Sequence, residues 1–209
     1  MRTNAEERLM SKSEERAGEI TEFWFEGALS SSDAAIQRNN VWFGADDTFD
    51  AEIATRFKSL PDEALSGKLD GWLLAPATGL SLILVLDQFP RNLFRGDPRS
   101  YAFDELARAA ARQLIRRGFD EVVEPLEAVF LYLPFEHSED LEDQLTSMEL
   151  FRSLEDRAVG EENSLFEGYS AYARQHHDTI ARFGRFPMRN QALGRVSTEE
   201  ELVYIEEQY

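Results

Sequence analysis

Leu80-Ser81-Leu82-Ile83-Leu84-Val85-Leu86 runs directly into Asp87-Gln88-Phe89-Pro90-Arg91-Asn92-Leu93-Phe94-Arg95-Gly96, and the structure assigned to its apolar half decides the fold class. Seven residues without a charge form either a strand buried on both faces or a helix apolar all round. A parallel sheet needs several such runs, and the chain has no second one. Pro76 suits the first turn of a helix, where its missing N–H costs nothing. The run is therefore read as a central buried helix and the chain as all-α, with roughly eight to ten helices. Phe89-Pro90 is expected to stop that helix, because proline disfavours helical geometry in the residue before it. Asp87 would then stand at a negative helix end, misplaced by about 0.3–1 kcal/mol unless a cation compensates it.

Helical spacing recurs on both sides. Phe49, Ile53, Phe57 and Leu60 share one face, with Asp46 or Asp47 as its cap. Asp97-Pro98 reads as a helix start, Phe103, Leu106, Ala107, Ala110 and Leu114 as its stripe, and Gly118 as its stop. Ser138 is expected to open a helix that buries Leu141, Leu145, Met148 and Leu154. Leu165, Tyr169, Tyr172, His176, Ile180 and Phe183 make the longest stripe, which Gly184 ends. Ser197-Thr198-Glu199-Glu200 has the pattern of a capping box. Trp24-Phe25 and Trp42-Phe43 read as core anchors. Residues 1–17 read as an N-terminal tail or frayed helix start and 18–209 as one α-helical domain.

The chain carries 40 acidic and 22 basic side chains, a net charge of −18. That balance opposes non-specific binding to nucleic acid or to an anionic membrane. The longest uncharged stretch, 71–86, contains Pro76 and Gly79 and falls short of the ~20 apolar residues of a membrane span. There is no cysteine, which excludes disulfides, thiolate catalysis and Cys-based zinc sites. With no apolar signal segment at the N-terminus, a cytoplasmic, soluble protein is expected.

Chemistry is concentrated in three segments. In the first, Asp87 and Gln88 are followed by Arg91, Asn92 and Arg95. In the last, Phe183 to Asn190, Arg185, Arg189 and Asn190 repeat that pattern, with Arg195 just beyond. A buried Asp–Arg pair that ties two elbows together is the simpler explanation. The functional one is a pocket in which some guanidinium groups stay free for an anion, since their planar fork suits carboxylate or phosphate. His176 lies on the apolar stripe, as a satisfied core histidine or as a general acid/base, whereas His177 is expected at the surface. In the middle segment, Glu139 and Asp140 have a local reason to exist at a helix start, but Glu136 and His137 do not. Glu136, His137 and His176 match no standard zinc or di-iron spacing, so no metal and no cofactor is assigned. Gly-rich phosphate loops and hydrolase elbows are absent from the sequence.

Together Leu86–Gly96 (LDQFPRNLFRG), Phe135–Asp140 (FEHSED) and His176 with Phe183–Arg195 (FGRFPMRNQALGR), followed by Ser197–Glu200, resemble the bacterial domain-of-unknown-function family 924. Phe23-Trp24-Phe25 and Val41-Trp42-Phe43-Gly44 fit the same family. The resemblance spans about Gly18 to Tyr209. It implies an all-α fold related to the tetratricopeptide-like superhelices and no established activity. It also implies a His between Pro187 and Arg189, where this chain has Met188.

The leading expectation is a central pocket that binds a small anionic molecule or a peptide carboxylate. Gln88, Arg91, Asn92, Arg95, Glu136, Arg185, Arg189 and Asn190 would bind it, with Asp87, His137 and His176 as candidate catalytic groups. One alternative is a hydrolase or transferase with His137 or His176 as general acid/base. The other is a protein-binding scaffold whose polar elbows are structural.

Overall fold

The computed structural model of the protein describes residues 4–44, 46–158 and 163–207. No strand occurs among them, and the Leu80–Leu86 run is helical. The helices are α1 (Asn4–Phe25), α2 (Ser32–Phe43), α3 (Asp47–Phe57), α4 (Leu60–Leu65), α5 (Pro76–Ile83), α6 (Phe89–Leu93), α7 (Asp104–Arg116), α8 (Pro125–Glu136), α9 (Leu141–Arg157), α10 (Asn163–Phe183) and α11 (Glu199–Glu207). α5 packs on α1, α7 and α8, and α9 lies between α8 and α10. None of these helices is long and apolar enough to cross a membrane.

Helix α1 starts inside the 1–17 segment; residues 1–3 lie outside the described residues. The later part of that segment is packed. Ser13 Oγ accepts the Trp72 indole N–H at 2.6 Å, Arg16 grips both Glu63 oxygens, and Ala17 is buried. Beyond it, the aromatic anchors form the core. Trp24 stacks on Trp42 with centroids 6.1 Å apart, and Phe130 of α8 meets both edge-on. The Trp42 indole N–H and the Arg38 Nε–H donate to the Trp24 carbonyl, and a second Arg38 N–H donates to Phe23. These are carbonyls that the end of α1 would otherwise leave without partners. Phe43, expected in the core, is instead half exposed.

Pro90 does not stop the central helix. The chain passes through a π-helical turn, Leu84–Gln88, and continues as α6; the Phe89 N–H donates to the Leu84 carbonyl five residues back. A proline in a regular helix collides with the carbonyl four residues earlier, here that of Leu86. The wider turn relieves that collision. Asp87 therefore sits inside a continuous helical segment, fully buried, and not at a helix end. Where α5 crosses α7 the two approach closely: a Cβ on Gly79 would come within 2.5 Å of Leu114 Cδ2.

Several helix starts and faces differ from the sequence reading. Asp97 caps a short 3-10 turn, Pro98–Tyr101, and α7 begins only at Asp104, with Leu106 exposed. Asp140, not Ser138, caps α9, accepting from Glu142 and Asp143. Leu141 and Leu145 are exposed; the buried face is Asp143, Gln144, Ser147, Phe151 and Leu154. The reason is polar: Arg108 and Arg112 of α7 reach Asp143, and the Gln144 amide donates to the Glu136 and Ser138 carbonyls at 2.6 Å. On α10, Tyr172 turns outward while Phe166 and Ala173 are buried. The capping box of α11 is Thr198 with Glu201, one residue later than the Ser197–Glu200 reading.

Candidate functional site

The π-helical turn places Asp87 at the junction of α6, the end of α8 and the Pro187–Arg189 elbow. The Gln88 amide donates to Asp87 Oδ2 at 2.6 Å, and His137 Nδ1 lies 2.8 Å from Oδ1. Arg91 is 3.3 Å from the same oxygen and also donates to the Asp87 carbonyl at 2.6 Å. Burial alone would raise the Asp87 pKa, but Arg91 and His137 overcome it and hold the carboxyl below its usual range. An ionised Asp87 makes His137 Nδ1 the protonated nitrogen and leaves Nε2 as an acceptor. Burial, then the Arg91 charge, push the His137 pKa down against the pull of Asp87, so the ring is neutral.

Arg91 continues to Asp104 at the start of α7, with two N–H donors at 2.9 and 3.2 Å. Arg189 reaches the same carboxylate at only 3.4 Å and donates to the His137 carbonyl at 2.8 Å. Its guanidinium lies over the rings of Tyr101 and Phe186. Gly184, with φ of 68°, ends α10 in a backbone conformation open to glycine. Beyond it, Glu139 holds the elbow: it accepts the Phe186 N–H at 2.8 Å and a two-pronged pair from Arg195 at 2.7 and 2.9 Å.

Two cavities flank this cluster and share Tyr172 and His176. The first, about 500 Å³, is lined by Arg91, Arg95, Arg189, Tyr101, Phe186, Met188 and Tyr204 among others. The second, about 570 Å³, has Glu136 and His137 together with Ile36, Phe43, Leu133, Leu165 and Tyr169. His176 Nδ1 lies 3.0 Å from the Tyr172 carbonyl, which only a protonated Nδ1 satisfies. Burial lowers its pKa to about 4, so it too is neutral near pH 7. Glu136 Oε1 stands 3.5 Å from that nitrogen. Burial, reinforced by the charge of Asp87, raises the Glu136 pKa to about 8. An uncharged acid thus sits beside a carboxylate-oriented imidazole, an arrangement able to donate one proton and accept another.

Of the residues singled out from sequence, Asp87, Gln88, Arg91, Glu136, His137, His176 and Arg189 come together. Arg95 lines the first cavity but is engaged by Asp50, at 2.5 and 3.0 Å, and Asn92 donates to the same Asp50. Arg185 turns away to Glu201, and Asn190 is buried between Arg195 and Ser197; neither lines either of these two cavities. Both side chains are engaged inside the elbow. His177 is partly buried and paired with Asp178. Glu139 was hidden by its helix-start position, where an acid has a sufficient local role, and Asp104 by the reading of Asp97 as the start of that helix. Tyr101 carried no signal. No group of three His, Asp or Glu among the described residues is placed to hold a metal ion.

A family model described as a bacterial protein of unknown function, DUF924, matches residues 20–208. The chain belongs to the DUF924 family. Another chain with the same architecture is the solved structure of a protein of unknown function, ATU0120, from Agrobacterium tumefaciens. It is 40% identical, with a TM-score of 0.77, over 91% of this chain and 97% of that one. No curated protein matches the sequence. In this DUF924 member the elbow carries Met188, 43% exposed and lining the first cavity, so that wall offers a thioether where the resemblance implied an imidazole.

Proposed function

We propose that the protein binds a small molecule through an anionic group, carboxylate or phosphate, placed against Arg189 in the first cavity. The observation that carries this reading is the incomplete neutralisation of that guanidinium. Its side chain is only 12% exposed, and its carboxylate partner is shared with Arg91, which holds Asp104 more closely. Burial and the neighbouring Arg91 charge both push the Arg189 pKa down, so added negative charge in the cavity would relieve the site. The faces of Tyr101 and Phe186 keep the guanidinium plane in place, and a fixed plane suits two-pronged recognition of an oxyanion. Neutral His176 adds hydrogen bonding without a competing charge.

Isothermal titration with benzoate and phenyl phosphate tests the reading. At least one is expected to bind, and Arg189→Gln is expected to weaken it about 10- to 100-fold, the effect of losing about 1.5–3 kcal/mol of charged hydrogen bonding. Absence of binding to the folded wild type, or equal affinity in Arg189→Gln, refutes the reading.

A further inference from the structure

The second cavity has a chemistry of its own. Its walls are mostly apolar, with Ile36, Phe43, Leu133, Leu165 and Tyr169, and the amides of Asn39 and Asn40 and the hydroxyl of Ser164 stand among them. Yet the Glu136 carboxyl, 5% exposed, borders it with no hydrogen bond among the described residues. The basic side-chain nitrogen beside it, His176 Nδ1, is 3.5 Å away and donates its N–H to the Tyr172 carbonyl. That nitrogen therefore has no lone pair for a Glu136 O–H. An ionised Glu136 would be a buried charge without a cation, and a protonated one is a buried donor without an acceptor. Next to it in the chain, His137 borders the same cavity. Asp87 takes its Nδ1 proton, and Nε2 is an acceptor that nothing in the described chain uses.

We propose that this second cavity is a binding site for an uncharged, largely apolar carboxamide, with Glu136 donating to the amide oxygen and His137 Nε2 accepting an amide N–H. A carboxamide carries both an acceptor and a donor, the complements of the donor and acceptor that Glu136 and His137 bring to the same cavity. Its hydrocarbon part fills the apolar walls. A carboxylate ligand lacks the donor that His137 requires and meets the negative charge of Asp87 behind it. The inference does not rest on the anion reading; it concerns different groups on the other side of Tyr172 and His176.

Ligand-observed NMR and calorimetry at pH 7 with benzamide, benzoate, phenyl phosphate, benzylamine and toluene test the proposal. Benzamide is expected to bind the wild type, to bind Glu136→Leu at least tenfold more weakly, and to bind Arg189→Gln as it binds the wild type. Whichever of benzoate and phenyl phosphate binds the first cavity is expected to show the reverse pattern, so failure of one site is distinguishable from failure of the other. Gly168→Leu is the independent variant. Gly168 lines this cavity, and a Cβ built there meets nothing within 4 Å beyond its own chain neighbours and helix backbone, so a leucine side chain is introduced at the cavity wall without a clash at its Cβ. It is expected to abolish benzamide binding and leave binding of that anion intact. The proposal is overturned if benzamide does not bind the folded wild type, or binds Glu136→Leu or Gly168→Leu with unchanged affinity. Toluene binding as tightly would reduce the cavity to an apolar hollow, and preferential binding of benzylamine would replace the amide with a cation.

Discussion

Glu136 is a carboxyl group with no cation to hold its charge, and that isolation makes it a reporter of the site. Its pKa stands near 8 in the folded chain against an ordinary value near 4.3 when unfolded. Between those values the folded state keeps a proton that the unfolded state has released, so stability falls as pH rises through the window. His137 and His176 act in the opposite sense. Their folded pKa values are lowered, so the stability they contribute is lost on acidification below about 6.5. From pH 7 to 8 Glu136 dominates. Urea denaturation is expected to show the wild type losing about 1 kcal/mol across that unit, whereas Glu136→Gln stays flat. A wild-type curve without that slope would mean that Glu136 is ionised or has found a partner. Nothing about Glu136 in the sequence carries this property. It is one of 40 acids, and only packing removes its water while placing every guanidinium elsewhere.

The helices show how far local pattern reaches. Phe49, Ile53 and Phe57 are buried on one face as their spacing requires, Asp46 caps that helix, and Gly118 ends α7 with φ of 71°. Faces decided by polar partners were misread. α9 buries Asp143 and Gln144 where Leu141 and Leu145 were expected, because an arginine pair on α7 lies opposite. The central helix crossed Pro90 for a related reason: its carbonyls are arranged by a π-helical turn that no propensity announces. The crossing of α5 and α7 makes a sharp prediction. Gly79→Ala adds a methyl group against fully buried Leu114 and is expected to destabilise by about 1–3 kcal/mol, despite the better helix propensity of alanine. Gly168→Ala, in open space on α10, is expected to stabilise by about 1 kcal/mol. Equal and positive shifts for the two in chemical denaturation would show that α5 and α7 do not touch as described.

Across the molecule, the two Arg-rich elbows do meet: Asp104 is shared by Arg91 and Arg189, while Glu139 ties the last elbow to the start of α9. The net charge of −18 then bears on any anion approaching Arg189. The remote carboxylates repel it, and salt screens that long-range repulsion more effectively than the short contact with a buried guanidinium. Benzoate affinity is therefore expected to hold or rise between about 0.01 and 0.15 M salt, where the Debye length falls from about 30 to 8 Å. A steep fall would instead mark binding at exposed arginines on the surface.

The all-helical class, the family and the segments whose polar side chains cluster were readable from residue order alone, because they depend on apolar spacing, caps and short motifs that act between near neighbours. Which arginines face the cavity, which pair inside the elbow, and which carboxyl keeps its proton were decided by the packed chain. Those properties depend on distances between residues far apart in sequence, such as 104 and 189 or 136 and 176. Removing water from a charged group has no consequence until folding chooses the partners left within reach.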